Sequence, residues 1–215
     1  MKLIITANEN NMSLVSTETK RNVALSLSNF NILQFGEFKL KSGITAPFYI
    51  DLRIVQSHPE ALHAITKIYA EMLNDLPREV FLAGIPEAGI PIATAVGYET
   101  NRPLIQPRSK IKEHGKGKLI EGDWQPGDKV AIIDDLVTKG DSKIEAIEQF
   151  RAANLKVISF YLLIDREMGG KQLVEKAGYS VNIAMTMTEI IDILLAEKKI
   201  SANQRQTMIT FMRSG

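Results

Sequence analysis

Residues 130–142 read Val-Ala-Ile-Ile-Asp-Asp-Leu-Val-Thr-Lys-Gly-Asp-Ser. The apolar run that opens this stretch predicts a buried strand, which would deliver Asp134 and Asp135 to its carboxyl end. A short turn with a glycine and two hydroxyl residues then leads into a helix predicted over about 142–153. Backbone N–H groups at such a helix start form a cradle for phosphate, and the acid pair beside it could hold sugar hydroxyls or a hydrated Mg²⁺. Taken alone, the stretch is equally compatible with a strand that ends in a solvated acidic turn.

Apolar strands alternate with amphipathic segments along the rest of the chain. The predicted strands span 35–40, 48–51, 80–83, 104–105, 130–133 and 157–164, and the predicted helices begin near Thr17, His58, Gly89, Ser142 and residue 187. This alternation is typical of an α/β fold with a central, mostly parallel sheet flanked by helices. Because ligands bind at the carboxyl ends of parallel strands, the loops after Ala83, Ile133 and Ile164 should share one site.

The composition excludes several classes of protein. The chain has 215 residues, 45% of them hydrophobic and 24% charged, and no cysteine, which rules out a disulfide scaffold, a Cys-ligated metal and a thiol nucleophile. The net charge of +1 gives no overall field that would attract nucleic acid. The longest apolar stretch, 157–164, is too short to span a bilayer, and the N-terminus lacks a signal-peptide pattern. We therefore expect a single cytoplasmic domain over 1–215 that binds neither nucleic acid nor membrane.

Residues 130–142 resemble, almost position for position, the signature of type I phosphoribosyltransferases, which bind phosphoribosyl pyrophosphate (PRPP). Three further blocks, 35–51, 110–122 and 163–170, resemble parts of the orotate phosphoribosyltransferase family and occur in the same order. The resemblance covers about residues 20–200. It implies the type I phosphoribosyltransferase fold with a small hood, built from about 17–55 and a C-terminal segment, over a core of 56–185.

The resemblance also implies a reaction. Members of the family combine orotate with PRPP to give orotidine 5′-monophosphate and pyrophosphate, in de novo UMP biosynthesis. Mg²⁺ is the expected cofactor and is held mainly by PRPP and water, with no direct protein ligand assigned. A homodimer is implied as well, in which the loop 108–118 reaches the site of the neighbouring subunit. Two alternatives stay open: a phosphoribosyltransferase for another base, and a non-catalytic regulator that senses PRPP.

The site residues are carried over position by position. The resemblance gives catalytic roles to Lys112, His114, Asp134 and Asp135. It assigns PRPP binding to Lys41, Glu87, Ala88, Arg108, Ser109, Lys112, His114, Asp134, Asp135, Leu136, Val137, Thr138, Lys139, Gly140, Asp141 and Ser142. It assigns orotate binding to Lys41, Phe48, Tyr49, Thr138 and Arg166, where the two aromatic rings bracket orotate and the guanidinium pairs with its polar edge.

The chain departs from the family pattern at three places, of which the first two concern the diphosphate and the third lies near the 5′-phosphate or in solvent. Glu87 and Ala88 stand where bacterial members have Tyr-Lys or a related pair, and Ser109 stands where Lys is common. Lys139 occupies a position that usually holds a small residue. A carboxylate near pyrophosphate is unfavourable unless a cation intervenes. We therefore expect weaker PRPP binding, or a heavier reliance on Mg²⁺, than in a typical member.

Overall fold

The computed structural model describes residues 15–39, 43–108 and 119–214. The strands are β1 (Leu33–Lys39), β2 (Thr45–Ile50), β3 (Phe81–Gly84), β4 (Gln106–Pro107), β5 (Ile120–Glu121), β6 (Lys129–Val137), β7 (Lys156–Asp165) and β8 (Ser180–Thr186). The helices are α1 (Thr17–Asn29), α2 (Pro59–Met72), α3 (Gly89–Thr100), α4 (Asp141–Ala152), α5 (Gly170–Lys176), α6 (Met187–Ala196) and α7 (Ala202–Ser214), with a short 3₁₀ helix at Leu52–Ser57.

The central sheet has four parallel strands in the order β3-β6-β7-β8. Strand β6, which contains the first part of the 130–142 stretch, is an interior strand. Its carboxyl end therefore lies between those of β3 and β7. Two antiparallel pairs, β1 with β2 and β4 with β5, lie outside this sheet. The predicted α/β fold with a mostly parallel sheet is thereby confirmed.

Apolar side chains of β6 alternate between two cores, one on each face of the sheet. Ala131 and Ile133 belong to the larger core with residues of α1, α2, α3 and α6. Val130 and Ile132 belong to the smaller core with residues of α4 and α5. Successive residues of a strand point to opposite faces, which explains why a run of consecutive apolar residues is needed here.

Several element boundaries differ from those expected. Ser16, not Thr17, caps α1, since its hydroxyl accepts the N–H of Thr19 at 3.1 Å. Leu104 forms only an isolated bridge to Leu82, and the short strand begins at Gln106. The predicted loop 108–123 contains the paired residues of β5. Helix α5, strand β8 and helix α7 were not predicted.

A buried arginine closes the end of α2. The guanidinium of Arg102, only 7% exposed, donates to the carbonyl oxygens of Leu73, Leu76 and Pro77 at 2.8, 2.5 and 2.6 Å. Carbonyl groups at a helix C-terminus lack intrahelical partners, and this side chain supplies donors where the helix ends. Arg102 follows α3, so it fastens the connection after α3 to the end of α2.

The described helices are short relative to a bilayer, and none of them combines the length and apolar character needed to cross one.

Candidate active site

A cavity of about 680 Å³ opens at the carboxyl ends of β3 and β6. Residues 85–88, after β3, form one wall, and residues 134–136 and 138–143, from the end of β6 to the first turn of α4, form another. Val137, also expected to bind PRPP, is instead buried in the smaller core. Residues 49–53, at the end of β2 and the start of the 3₁₀ helix, contribute a third. The loop after β7 was expected to share the site. It lies directly behind the β6 loop, because the N–H groups of Arg166 and Gly170 donate to the carbonyl oxygens of Val137 and Thr138.

The turn between β6 and α4 has the geometry of an anion cradle. Gly140 adopts a left-handed conformation, with φ of 93°, and precedes the first residue of α4. Its carbonyl oxygen accepts the N–H groups of Lys143 and Ile144, which sets the first turn of the helix. The first N–H groups of a helix have no intrahelical partners, so those of this turn are available to an anion. Thr138, Lys139, Asp141 and Ser142 line the cavity around them.

The two aspartates sit in different surroundings. Asp134 is 4% exposed, and its Oδ2 atom lies 2.5 Å from the ammonium nitrogen of Lys143. Its backbone carbonyl accepts the buried hydroxyl of Tyr69 at 2.5 Å. Burial raises the pKa of Asp134 to about 7, against the opposing attraction of Lys143. Asp135 is half-buried and accepts the N–H of Leu136 at 2.7 Å, and burial raises its pKa too.

Lys143 is a site residue that sequence reasoning missed. The expected signature ended at Ser142, one residue before it, and a lysine in a helix is usually a surface residue. The sequence nevertheless contains a pattern that indicates burial of this lysine. Lys143 stands at helical spacing with Ala146, Ile147 and Phe150, which form the buried face of α4. A lysine on an apolar face needs an acidic partner, and Asp134 is that partner.

The loop after β3 brings Glu87 and Ala88 to the cavity. Glu87 is exposed and Ala88 is 8% exposed, and the Pro86–Glu87 peptide bond is cis. The start of α3 then packs tightly on the acid pair. A Cβ atom added to Gly89 would lie 2.7 Å from Oδ1 of Asp134, so the absence of a side chain lets the two loops meet.

The two aromatic residues of β2 lie on opposite sides of the strand. Tyr49 lines the cavity, whereas Phe48 is 2% exposed. The guanidinium carbon of Arg166 lies 5.6 Å from the centroid of the Phe48 ring, and Phe211 of α7 contacts that ring edge-on at 6.1 Å. Burial lowers the pKa of Arg166. The structure thus joins Phe48 to Arg166 and places Tyr49 with the acid pair.

Arg53 is a second cavity residue absent from the sequence predictions. Its Nε and Nη2 atoms each lie 2.7 Å from an oxygen of Asp51, and Nη2 also donates to the Tyr49 hydroxyl at 3.2 Å. The hydrogen bonds with Arg53 lower the pKa of Asp51. Arg53 and Asp51 thus form an ion pair on the cavity wall.

The remaining predicted residues divide into two groups. Lys41, Ser109, Lys112 and His114 lie outside the described residues. Arg108 is described: its side chain forms an ion pair with Glu121, and its carbonyl oxygen accepts the side-chain amide of Gln149 at 2.9 Å. Among residues 15–39, 43–108 and 119–214, no three acidic or histidine side chains come together as a metal site.

Comparisons with known proteins identify this arrangement. No family model matches the chain. The orotate phosphoribosyltransferase of Pyrococcus horikoshii is 39% identical over 163 residues, which are 75% of this chain and 88% of the relative. The structure of Leishmania donovani UMP synthase is similar with a TM-score of 0.82 at 36% identity, and the match covers 91% of this chain and 42% of that one. The orotate phosphoribosyltransferase of Aeropyrum pernix gives a TM-score of 0.71 at 26% identity, over 83% of this chain and 99% of that one.

These likenesses cover 75% to 91% of the chain, and they confirm the family that the four sequence blocks predicted. The relative from Pyrococcus horikoshii is matched over most of its own length, so the similarity is not confined to a shared PRPP-binding segment. The chain belongs to the orotate phosphoribosyltransferase family.

Proposed function

We propose that the protein transfers the phosphoribosyl group of PRPP to orotate, giving orotidine 5′-monophosphate and pyrophosphate in UMP biosynthesis. One observation carries the proposal: the acid pair, the phosphate cradle and the loop after β3 all face one cavity of about 680 Å³. A substrate with a 5′-phosphate, a ribose and a diphosphate needs those three elements side by side. A cytoplasmic location stays a prediction of the sequence.

In this proposal the parts of PRPP occupy successive parts of the cavity. The 5′-phosphate lies in the turn 138–142 at the start of α4, where helix N–H groups face it. The ribose hydroxyls bind at the acid pair, and the diphosphate lies toward residues 85–88. Breaking the bond between C1 and pyrophosphate leaves an oxocarbenium-like carbon and a highly charged leaving group. The protein therefore acts by positioning the base nitrogen and neutralising the leaving group, without a covalent nucleophile.

In this proposal orotate lies between Tyr49 and the loop after β6. Thr138 lies in the cavity, and the guanidinium of Arg166 is held over the Phe48 ring just behind the turn. A guanidinium fixed by an aromatic face presents its planar donors toward a carboxylate or carbonyl edge, which suits orotate. Lys41 would approach the junction of the two substrates. We propose that β1 and β2, covered by α7, serve as the hood over the core 56–185.

Mg²⁺ fits this site as a hydrated ion brought in with PRPP. The half-buried carboxylate of Asp135 at the cavity wall is a hard oxygen donor that can accept hydrogen bonds from water bound to such an ion. When bound, the ion neutralises charge on the diphosphate. We further propose a homodimer in which Arg108, Ser109, Lys112 and His114 of the loop 108–118 close over the diphosphate in the neighbouring subunit.

Turnover of orotate with PRPP and Mg²⁺, run beside uracil, adenine and hypoxanthine, tests the function. We expect orotidine monophosphate from orotate alone, and its loss in the Asp134→Asn/Asp135→Asn variant. Product from another base instead of orotate would identify a different phosphoribosyltransferase. Binding of PRPP without turnover of any base would overturn the enzyme assignment in favour of a PRPP sensor.

A further inference from the structure

The ammonium group of Lys143 is completely occupied by the protein. Its side chain is 5% exposed, and its nitrogen lies 2.5 Å from Oδ2 of Asp134, 2.6 Å from the carbonyl oxygen of Leu136 and 3.3 Å from the hydroxyl of Ser142. An ammonium has three N–H donors, and three acceptors surround this one. Lys143 is therefore built into the floor of the cavity and is not free to follow a ligand.

Asp134 is held by two further contacts. The hydroxyl of Tyr69, from α2, donates to its carbonyl oxygen, and the start of α3 packs against Oδ1 so closely that Gly89 leaves no room for a side chain. The next residue, Asp135, is the neighbouring charge on the same strand. Held in this way, the Asp134 carboxylate cannot turn toward a substrate without breaking its bond to Lys143.

Asp135 has a different position. It is less buried than Asp134, its Oδ1 atom accepts the backbone N–H of Leu136, and a side-chain hydrogen bond with Asp134 helps to lower its pKa. No lysine, arginine or histidine of the described ranges forms an ion pair with it. Of the two adjacent carboxylates, Asp134 is the one in direct contact with the Lys143 ammonium, whereas Lys143 acts on Asp135 only through its charge, which opposes the rise in the pKa of Asp135.

The balance of charge matters because PRPP is a polyanion. Two unpaired carboxylates beside its phosphates would repel it, and a buried ion pair removes one of those charges from the field of the site. We propose that Lys143 is a positioning residue that withdraws Asp134 into a neutral buried pair, so that Asp135 alone offers a carboxylate to the ribose hydroxyls of PRPP. This inference rests on the proposed function, since it needs PRPP as the ligand.

The test compares Lys143→Met, Asp134→Asn, the double variant that combines them, and Asp135→Asn. Calorimetry with PRPP and Mg²⁺ at about pH 8, above the raised pKa of Asp134, gives the dissociation constants. Steady-state kinetics gives KM and kcat for both substrates. Lys156→Met is the matched control, because this exposed lysine stands at the start of β7, at the opposite end of the sheet from the cavity.

Lys143→Met should weaken PRPP binding by about tenfold or more, because it leaves a buried carboxylate unpaired. The double variant removes both buried charges and should bind PRPP within about threefold of the wild type, as replacement of a whole buried pair is often nearly neutral. Asp135→Asn should lose affinity by at least as much as Lys143→Met. The KM for orotate should change by less than about twofold in these variants. In Lys156→Met, the PRPP affinity should also change by less than about twofold.

Two results would overturn the proposal. If the double variant binds PRPP as weakly as Lys143→Met, then Lys143 or Asp134 acts on PRPP directly. If Asp135→Asn binds PRPP as tightly as the wild type, then Asp135 does not hold the ribose. Asp134→Asn alone leaves the Lys143 ammonium unpaired, so it should weaken binding about as much as Lys143→Met does. Should Lys143→Met fail to fold, the affinity of the double variant decides alone. Wild-type protein that binds PRPP but makes no product would overturn the proposed function and leave this comparison valid, whereas absence of PRPP binding would overturn both.

Discussion

Gly170 sits directly against the carbonyl group of Thr138. A Cβ atom added to Gly170 would lie 2.5 Å from that carbonyl oxygen, 2.5 Å from Cγ2 of Val137 and 2.8 Å from the nitrogen of Gly140. The N–H of Gly170 donates to the same carbonyl at 2.9 Å. The loop after β7 therefore packs against the turn between β6 and α4, on the side away from the cavity. This packing requires a glycine at position 170.

Replacement of Gly170 by alanine should displace that turn. Backbone atoms must move to accept the added carbon, and overpacking of this kind costs about 1–3 kcal/mol, which lowers Tm by roughly 3–10 °C in a chain of this size. The KM for PRPP should rise by about tenfold, since the phosphate cradle is misplaced. Gly97→Ala is the control, because its added carbon would meet nothing closer than 3.4 Å. An unchanged KM for PRPP in Gly170→Ala would contradict the role of the support.

Phe211 of α7 should affect orotate more than PRPP. Its ring contacts Phe48, and the Phe48 ring carries Arg166 on its face. Phe211→Leu keeps an apolar side chain but removes an aromatic contact worth about 1 kcal/mol. We expect the KM for orotate to rise by roughly threefold, with little change in the KM for PRPP. Phe30→Leu is the matched control, since that ring stacks on His58 and is not among the cavity residues described above. Equal effects on both substrates would argue against this chain of contacts.

The free energy of unfolding should depend on the ionisation of Asp134 between about pH 4 and pH 7. Its pKa is raised from 3.8 to about 7 by burial, so in this interval the folded state holds a proton that the unfolded state has released. The contribution of this group to the free energy of unfolding therefore falls as pH rises through the interval. Asp134→Asn should gain stability relative to the wild type from pH 4 to pH 7, as measured by urea unfolding. The exposed Asp192, changed to Asn, is the control. Parallel curves for wild type and Asp134→Asn would refute the shift.

The charge of Glu87 should weaken PRPP binding. Its carboxylate is exposed on the cavity wall beside the region proposed for the diphosphate. Glu87→Gln should lower the KM for PRPP by about twofold to fivefold, because one repulsive interaction near the surface is removed. Lysine at Ala88 and Ser109 together should lower it further. Glu99→Gln, on the exposed side of α3 and away from this cavity, should leave it unchanged. A KM that is unchanged in all these variants would contradict the expectation that these departures weaken PRPP binding.

The parts of the site that could be predicted are those encoded locally. An apolar run, an acid pair and a glycine turn follow one another within residues 130–142, and the structure brings them to the cavity together. Lys143 was not predicted because its burial depends on Asp134, nine positions earlier, and the two side chains meet only when α4 packs on β6. The separation of Phe48 from Tyr49 follows from the alternation of a strand, a rule that needs the strand boundaries first.

The elements that escaped prediction have weak local patterns. Helix α7 is mostly polar and packs through a few apolar residues: Met208 and Ile209 are buried in the larger core, and Phe211 contacts Phe48 of β2. Strand β8 lies at the edge of the sheet and buries only two of its side chains fully, Ala184 and Met185. Tertiary contacts, more than intrinsic preference, decide such segments.

The arginine that closes α2 ties together two surface connections. Arg102 is separated from its three carbonyl partners by 25 to 29 positions, so the segment after α2 and the segment after α3 are held at one fixed spacing. A residue inserted into or deleted from either segment would leave buried carbonyl groups without donors, at a cost of about 1–3 kcal/mol for each. Anyone who grafts or shortens a loop at this end of the molecule must therefore redesign both segments as a single unit.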